Sequence, residues 1–139
     1  MNFISYDDFK KLDEYKQFIL ENPSIGYLKV QAFTAYQGLP IEETKIIITK
    51  NINNNKVLFF RGYTNSSDII DNIELPAPSE KHDVEKFEIP KHTEYELTAI
   101  HEGYETIKKY NISMFGNIKI LQYIKMIPTI EDVETLNEN

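Results

Sequence analysis

The apolar positions of this chain follow one period at the start and another thereafter. Between Ser5 and Glu21, Phe9, Leu12, Tyr15, Phe18 and Ile19 recur every three or four residues and predict one amphipathic helix. Ser5 is its cap, Asp7 and Asp8 sit in the first turn, and Asn22-Pro23 is the stop. From Gly26 the period drops to two. Leu28, Val30 and Ala32 share one side of the first strand, with Lys29 and Gln31 on the other. Gly38-Leu39-Pro40 ends that strand, and Glu43 to Lys50 forms the next around Ile46, Ile47 and Ile48.

The stretch Val57 to Pro78 organises the middle. Val57 to Phe60 is a strand, and Thr64 to Asp68 supplies turn chemistry, because short polar side chains bond their own backbone. Ile69 to Leu75 is the return strand, and Pro76 and Pro78 end its ladder for want of an N–H. Upstream, Asn51 to Lys56 reads as a hairpin tip. Ser79 to Thr93 is a charged crossing, followed by strands at Tyr95 to His101, Tyr104 to Tyr110, Asn111 to Met114 and Ile118 to Ile127. Phe115-Gly116-Asn117 turns tightly between the last two. Short strands with turn signals every 8–12 residues or so predict a mainly β protein, a seven- to eight-stranded antiparallel β-sandwich with one N-terminal helix. The expected organisation is a helix over 1–23, a sandwich over 24–128 and an acidic tail over 129–139.

Composition then removes several functions. The chain has 139 residues, enough for one domain with a real core, and a net charge of -7. That charge argues against nucleic acid and against an anionic membrane surface. With no cysteine there is no disulfide, thiolate nucleophile or Cys-based zinc site. No apolar run reaches the ~18 residues that span a bilayer. MNFISYDDFKK carries acids where a secretory signal is apolar, so a cytoplasmic location is the expectation.

Candidate chemistry is thin. His82, His92 and His101 have no metal-ligand spacing, and no GxSxG or phosphate loop occurs. The paired acids Asp7/Asp8, Glu42/Glu43 and Glu131/Asp132 are adjacent rather than facing. A hydrolase reading would use His82 or His92 with Asp83 or Glu85 in the crossing. The expectation is instead no enzyme, no cofactor and no metal. Exposed tyrosines are the main binding resource. The expected contacts to a ligand or partner are Phe9 and Leu12 on the helix, Tyr36, and Tyr63, Asn65 and Asp68 at the central turn.

Leu28 to Pro40 with its hairpin, Thr64 to Pro78, and Tyr95-x-Leu97 with Glu102-Gly103-Tyr104 resemble the carboxypeptidase regulatory-like modules. These are transthyretin-like, or prealbumin-like, sandwiches. Glu21 to Pro128 is further similar to the non-catalytic N-terminal region of spore cortex-lytic enzyme precursors of Firmicutes. Asp68 stands where such modules often have a turn glycine, and nothing in the chain matches the lytic domain. The resemblance implies a non-catalytic structural or protein-interaction module, an accessory or assembly subunit in a spore, cell-envelope or phage-derived setting. Its partner would be a protein or a second copy, and peptidoglycan is the alternative ligand. The related collagen-adhesin B-type repeats form Lys–Asn isopeptide bonds; Lys29 and Asn117 suggest the pair, but Ala99 stands where the assisting acid is expected.

Overall fold

The alternating segments become two facing sheets in a computed structural model, which describes residues 3–34, 43–80, 91–105 and 108–129. In chain order the elements are β1 (Phe3–Ser5), α1 (Tyr6–Phe9), α2 (Glu14–Glu21), β2 (Ser24–Thr34), β3 (Lys45–Ile52) and β4 (Asn55–Tyr63). Then follow β5 (Ile69–Ala77), β6 (Thr93–Ile100), β7 (Lys108–Met114) and β8 (Lys119–Met126). The larger sheet has the order β1-β4-β3-β6-β7 and the smaller one β5-β2-β8. Pairing is antiparallel except for β1 with β4 and β2 with β8, which are parallel. This is the β-sandwich that the alternation predicts.

The core lies between the sheets. Leu28, Val30 and Ala32 of β2 meet Ile46 and Ile48 of β3, Leu97 of β6, and Ile124 and Met126 of β8, all fully buried. Apart from Ala32, with its single methyl, each such side chain contributes about 2 kcal/mol by leaving water. Tyr95 crosses this layer: its hydroxyl donates to the Pro76 carbonyl at 2.6 Å, so a buried phenol ties β6 to β5 without an unpaired donor.

Turn chemistry sets the hairpins. Asn53 takes φ 54° between β3 and β4, a left-handed value that asparagine tolerates. Between β4 and β5, the Asn65 carbonyl oxygen Oδ1 accepts the N–H groups of Ser67 (2.9 Å) and Ile69 (3.0 Å). Asp68 holds φ 70°, and its carbonyl accepts the Ala32 N–H at 3.0 Å, anchoring the turn to β2. The departure from glycine at this position is therefore absorbed by aspartate in the same backbone region.

The helix predicted over Ser5 to Glu21 is two helices after a short strand. Ser5 Oγ does cap α1, accepting the Asp8 N–H at 3.1 Å. The break between α1 and α2 has a geometric cause. Phe9 and Phe18 stand nine residues apart, about 900° of helical turn or half a revolution, so one straight helix would face them oppositely. Interrupting it lets both rings pack on Val57, in a second apolar cluster with Ile4, Tyr6, Tyr15, Ile52 and Phe59. The other revision is near the end of the chain. Tyr104 makes only an isolated bridge to Pro128, and the strand predicted to start there begins at Lys108, where pairing with β6 begins. The tail after Thr129, and most of the Ser79 to Thr93 crossing, lie outside the described residues.

The two clusters meet at Phe59. The β3–β4 register shifts between Ile48 and Thr49, so Phe59 is the extra residue of a bulge. Its ring packs edge-on against Tyr95 at 5.0 Å and against Phe18 at 5.8 Å and Tyr6 at 4.5 Å. Phe59→Ala is expected to lower the unfolding free energy by about 3 kcal/mol. A urea titration followed by circular dichroism measures this, and a loss within error would show that the clusters are independent.

Candidate functional site

Cross-strand register builds a polar cleft on the outer face of the larger sheet. Thr49 of β3 lies opposite Glu96 of β6, which lies opposite Asn111 of β7. Two positions along, Asn51 of β3 faces Lys56 of β4. Because alternate residues share a face, these side chains and Glu94 stand together. The resulting cleft is about 210 Å³ and is lined by Thr49, Lys50, Asn51, Lys56, Glu94, Tyr95, Glu96 and Asn111.

Its charges are held apart from full pairing. Glu96 Oε1 lies 3.7 Å from Lys56 Nζ and 3.7 Å from Lys109 Nζ, and among the described residues it accepts no hydrogen bond. Lys56 also stands 5.5 Å over the Phe3 ring. Lys50 Nζ donates to the Glu94 carbonyl at 3.0 Å and lies 5.7 Å from the Tyr95 ring centre. Burial holds the Lys50 ammonium below the ordinary lysine range, with the carboxylates of Glu94 and Glu21 opposing that shift.

A second surface lies on the smaller sheet. β8 is an edge strand, and Leu121 and Tyr123 are 45% and 55% exposed on it. Lys119 and Lys125 bracket them on the same face. Lys119 Nζ sits 2.8 Å from Asp71 Oδ1; this bond and the Asn72 N–H hold the Asp71 carboxyl below its usual range.

The residues singled out from sequence scatter. Phe9 is fully buried against Phe18, which corrects its assignment to partner contact: the helix break turns it inward. Leu12 is left at the break, 36% exposed, away from any common face with Phe9. Asp68 is also fully buried, and Asn65 Oδ1 is spent on the turn, so neither is offered to a ligand. Tyr63 is exposed at the end of β4. Tyr36 lies outside the described residues, as do His82, Asp83 and Glu85. His92 stands 3.5 Å from Glu94 Oε1, at the surface. The backbone N–H of Asn117 donates to Ile25, four positions from Lys29, so the suggested Lys–Asn pair is not assembled. The cleft escaped the sequence reading because Thr49, Glu96 and Asn111 meet only through register. Leu121 and Tyr123 escaped because both faces of β8 carry apolar residues.

Among the described residues, no group of His, Asp and Glu converges to hold a metal ion, and no helix is long and apolar enough to cross a membrane.

Two sheets in this order, closed by a buried tyrosine and an Asn-Asp turn, define a transthyretin-like β-sandwich. The solved structures similar to it agree. The TIE protein of Bacillus anthracis matches with a TM-score of 0.53 at 16% identity, over 76% of this chain and 17% of that protein. A 5-hydroxyisourate hydrolase of Klebsiella pneumoniae matches at 0.51 and 16% identity, over 75% of this chain and 91% of that one. A minor pilin of Streptococcus agalactiae matches at 0.51 and 12% identity, over 76% of this chain and 45% of that one. This chain thus spans about a sixth of the TIE protein and under half of the pilin. No protein-family model and no curated protein sequence matches the chain. The hydrolase overturns one expectation. A transthyretin-like sandwich of nearly this extent is an enzyme there, so the architecture does not exclude catalysis, and the expectation of no enzymatic activity is corrected to an open one.

Two predictions follow from the titrating groups. Lys50 binds its proton less tightly folded than unfolded, so the burial cost is complete at neutral pH and relieved as pH rises through its folded value toward that of free lysine. Lys50→Met is expected to be more stable than the parent at pH 7, with the gap narrowing by about pH 10; urea midpoints at the two pH values measure it. Tyr95 and Tyr6 shift the other way, both raised chiefly by burial, Tyr6 also by its neighbour Tyr15. Their contribution is whole below the unfolded phenol value near 10 and is lost above it. In a tyrosinate absorbance titration, Tyr6 and Tyr95 are expected to ionise only as the chain unfolds.

Proposed function

We propose that this chain is a structural or interaction module that docks a protein partner by adding a strand to β8. The observation that carries this reading is the outward row Lys119, Leu121, Tyr123, Lys125 on an edge strand. Among the described residues no strand pairs with its outer side. Edge strands normally avoid exposed apolar side chains, because open N–H and C=O groups beside them recruit other chains. Here two such side chains sit at the centre.

The flanking lysines choose the partner. If two copies paired β8 antiparallel about Gln122, Lys119 of each would face Lys125 of the other, a like-charge contact that costs stability. Asp71 neutralises only Lys119. A strand with an apolar centre and acids at its ends is complementary instead, its backbone supplying affinity and its alternate side chains specificity. The fold likeness to a minor pilin supports an assembly role. A spore, cell-envelope or phage-derived setting rests on the sequence resemblance of Glu21 to Pro128 to cortex-lytic precursors, and on that alone.

The test is a labelled peptide of alternating valine and threonine with glutamates at both ends, followed by fluorescence anisotropy. Tyr123→Lys is expected to weaken its binding at least about tenfold, near 1.4 kcal/mol, while Tyr63→Ala leaves it unchanged. Light scattering runs alongside. A dimer of the parent that Tyr123→Lys dissolves would overturn the assignment of a foreign strand, and absence of peptide binding would remove the docking role.

A further inference from the structure

Backbone bonding decides which groups of β8 face its open side. The Tyr27 N–H donates to the Ile118 carbonyl at 3.0 Å, and Tyr27 lies in register with Lys119. In a parallel pair a residue bonds the two neighbours of its register partner, so Ile120, Gln122 and Ile124 turn their N–H and C=O groups to β2. Lys119, Leu121, Tyr123 and Lys125 turn theirs outward. Their side chains form the exposed row described above.

Two carbonyls on the open side are already occupied. Ile127 continues the series, and its carbonyl accepts the Glu105 N–H at 2.6 Å, while Tyr104 bridges Pro128. The chain's own backbone thus closes the edge beyond Lys125. Within the open length, the Tyr123 carbonyl accepts the side-chain amide of Gln122, with Nε2 2.8 Å from the oxygen. By alternation the Gln122 side chain leaves β8 on the face of Ile120 and Ile124, so its amide reaches round the strand to the edge.

That amide stands where an added strand has to run. Neighbouring strands lie about 4.8 Å apart and bond through carbonyls directed as that of Tyr123 is. A nitrogen 2.8 Å from this oxygen lies inside that space. The carbonyl has a second lone pair, but the amide group still has to move before another backbone can close on it. Proteins blunt edge strands because open ones recruit other chains. Lys119 and Lys125 do so here by charge, whereas Gln122 acts on a backbone acceptor itself.

We propose that Gln122 is a guard on the β8 edge. Its amide covers the Tyr123 carbonyl in the free protein and swings off it when a partner strand docks. This regulation rests on the strand-docking reading of β8 and adds a step to it. The guard is weak enough to be displaced: a side-chain hydrogen bond of this kind shifts an equilibrium about two- to tenfold. A strand that bonds the edge from Lys119 to Lys125 overcomes it, and a contact at the centre alone does not.

The test uses the labelled peptide of alternating valine and threonine with glutamates at both ends. Its association and dissociation are followed by stopped-flow anisotropy on the parent, Gln122→Met and Gln122→Ala. Methionine keeps the length of the side chain and donates no hydrogen bond, and alanine removes its reach. Circular dichroism and urea midpoints report that each variant is folded. Both variants are expected to bind about fivefold more tightly, with the gain in the association rate, because the open edge is more populated before encounter. Equal affinity of the parent and the folded variants would overturn the guard and leave strand docking in place. So would a gain confined to slower dissociation of the methionine variant, which is the mark of a new apolar contact. Faster association in one folded variant and not in the other would overturn it as well. Absence of binding to all three proteins would remove strand docking itself, and the guard with it.

Discussion

The extra residue in β4 joins what would otherwise be two bodies. Regular alternation from Val57 would face Phe59 inward and Phe60 outward; the bulge lets Val57, Phe59 and Phe60 all pack inward, with Phe59 between Phe18 and Tyr95. With it, one phenyl group is shared by the sandwich interior and the cluster built on Phe9, Phe18 and Val57. The helical segment reaches this ring through Tyr6 and Phe18, and the sandwich reaches it through Tyr95. Burial at that seam is what disfavours the charged form of Lys50 and the ionised form of Tyr95.

How far the sequence revealed this depends on the range of the interaction involved. Turns were legible because their chemistry is local: Asn53, Asn65 and Asp68 act on backbone groups a few residues away. Strands were legible from alternation, and the sandwich from their number. The helix break was visible only in arithmetic. Phe9, Leu12, Tyr15 and Phe18 repeat every three residues, so their stripe drifts around a 3.6-residue helix instead of running along it. The candidate sites were not legible. Thr49, Glu96 and Asn111 become neighbours only through the register of three strands, and Phe9 and Asp68 look exposed until the packing around them is known.

The faces of the sandwich divide their chemistry. On the larger sheet, charges and amides surround a small hollow, with Tyr95 in its lining and Phe3 beside Lys56. On the smaller sheet, aliphatic and aromatic groups stand between lysines on an edge. A fold that also occurs in a hydrolase and in a pilin supplies the frame for both and dictates neither.

The parallel pairing of β2 with β8 bears on the order of folding. It joins Tyr27 to Lys119 and Thr34 to Met126, whereas β3–β4 and β6–β7 are closed by much shorter connections. During synthesis the larger sheet has nearly all its strands available while β2 still lacks one neighbour. Closing that long loop late slows folding and exposes Leu28, Val30 and Ala32 in the interval. The same pairing makes the smaller sheet complete only once β8 has arrived. The exposed row of Leu121 and Tyr123 therefore takes its place at a sheet edge only when β8 pairs with β2.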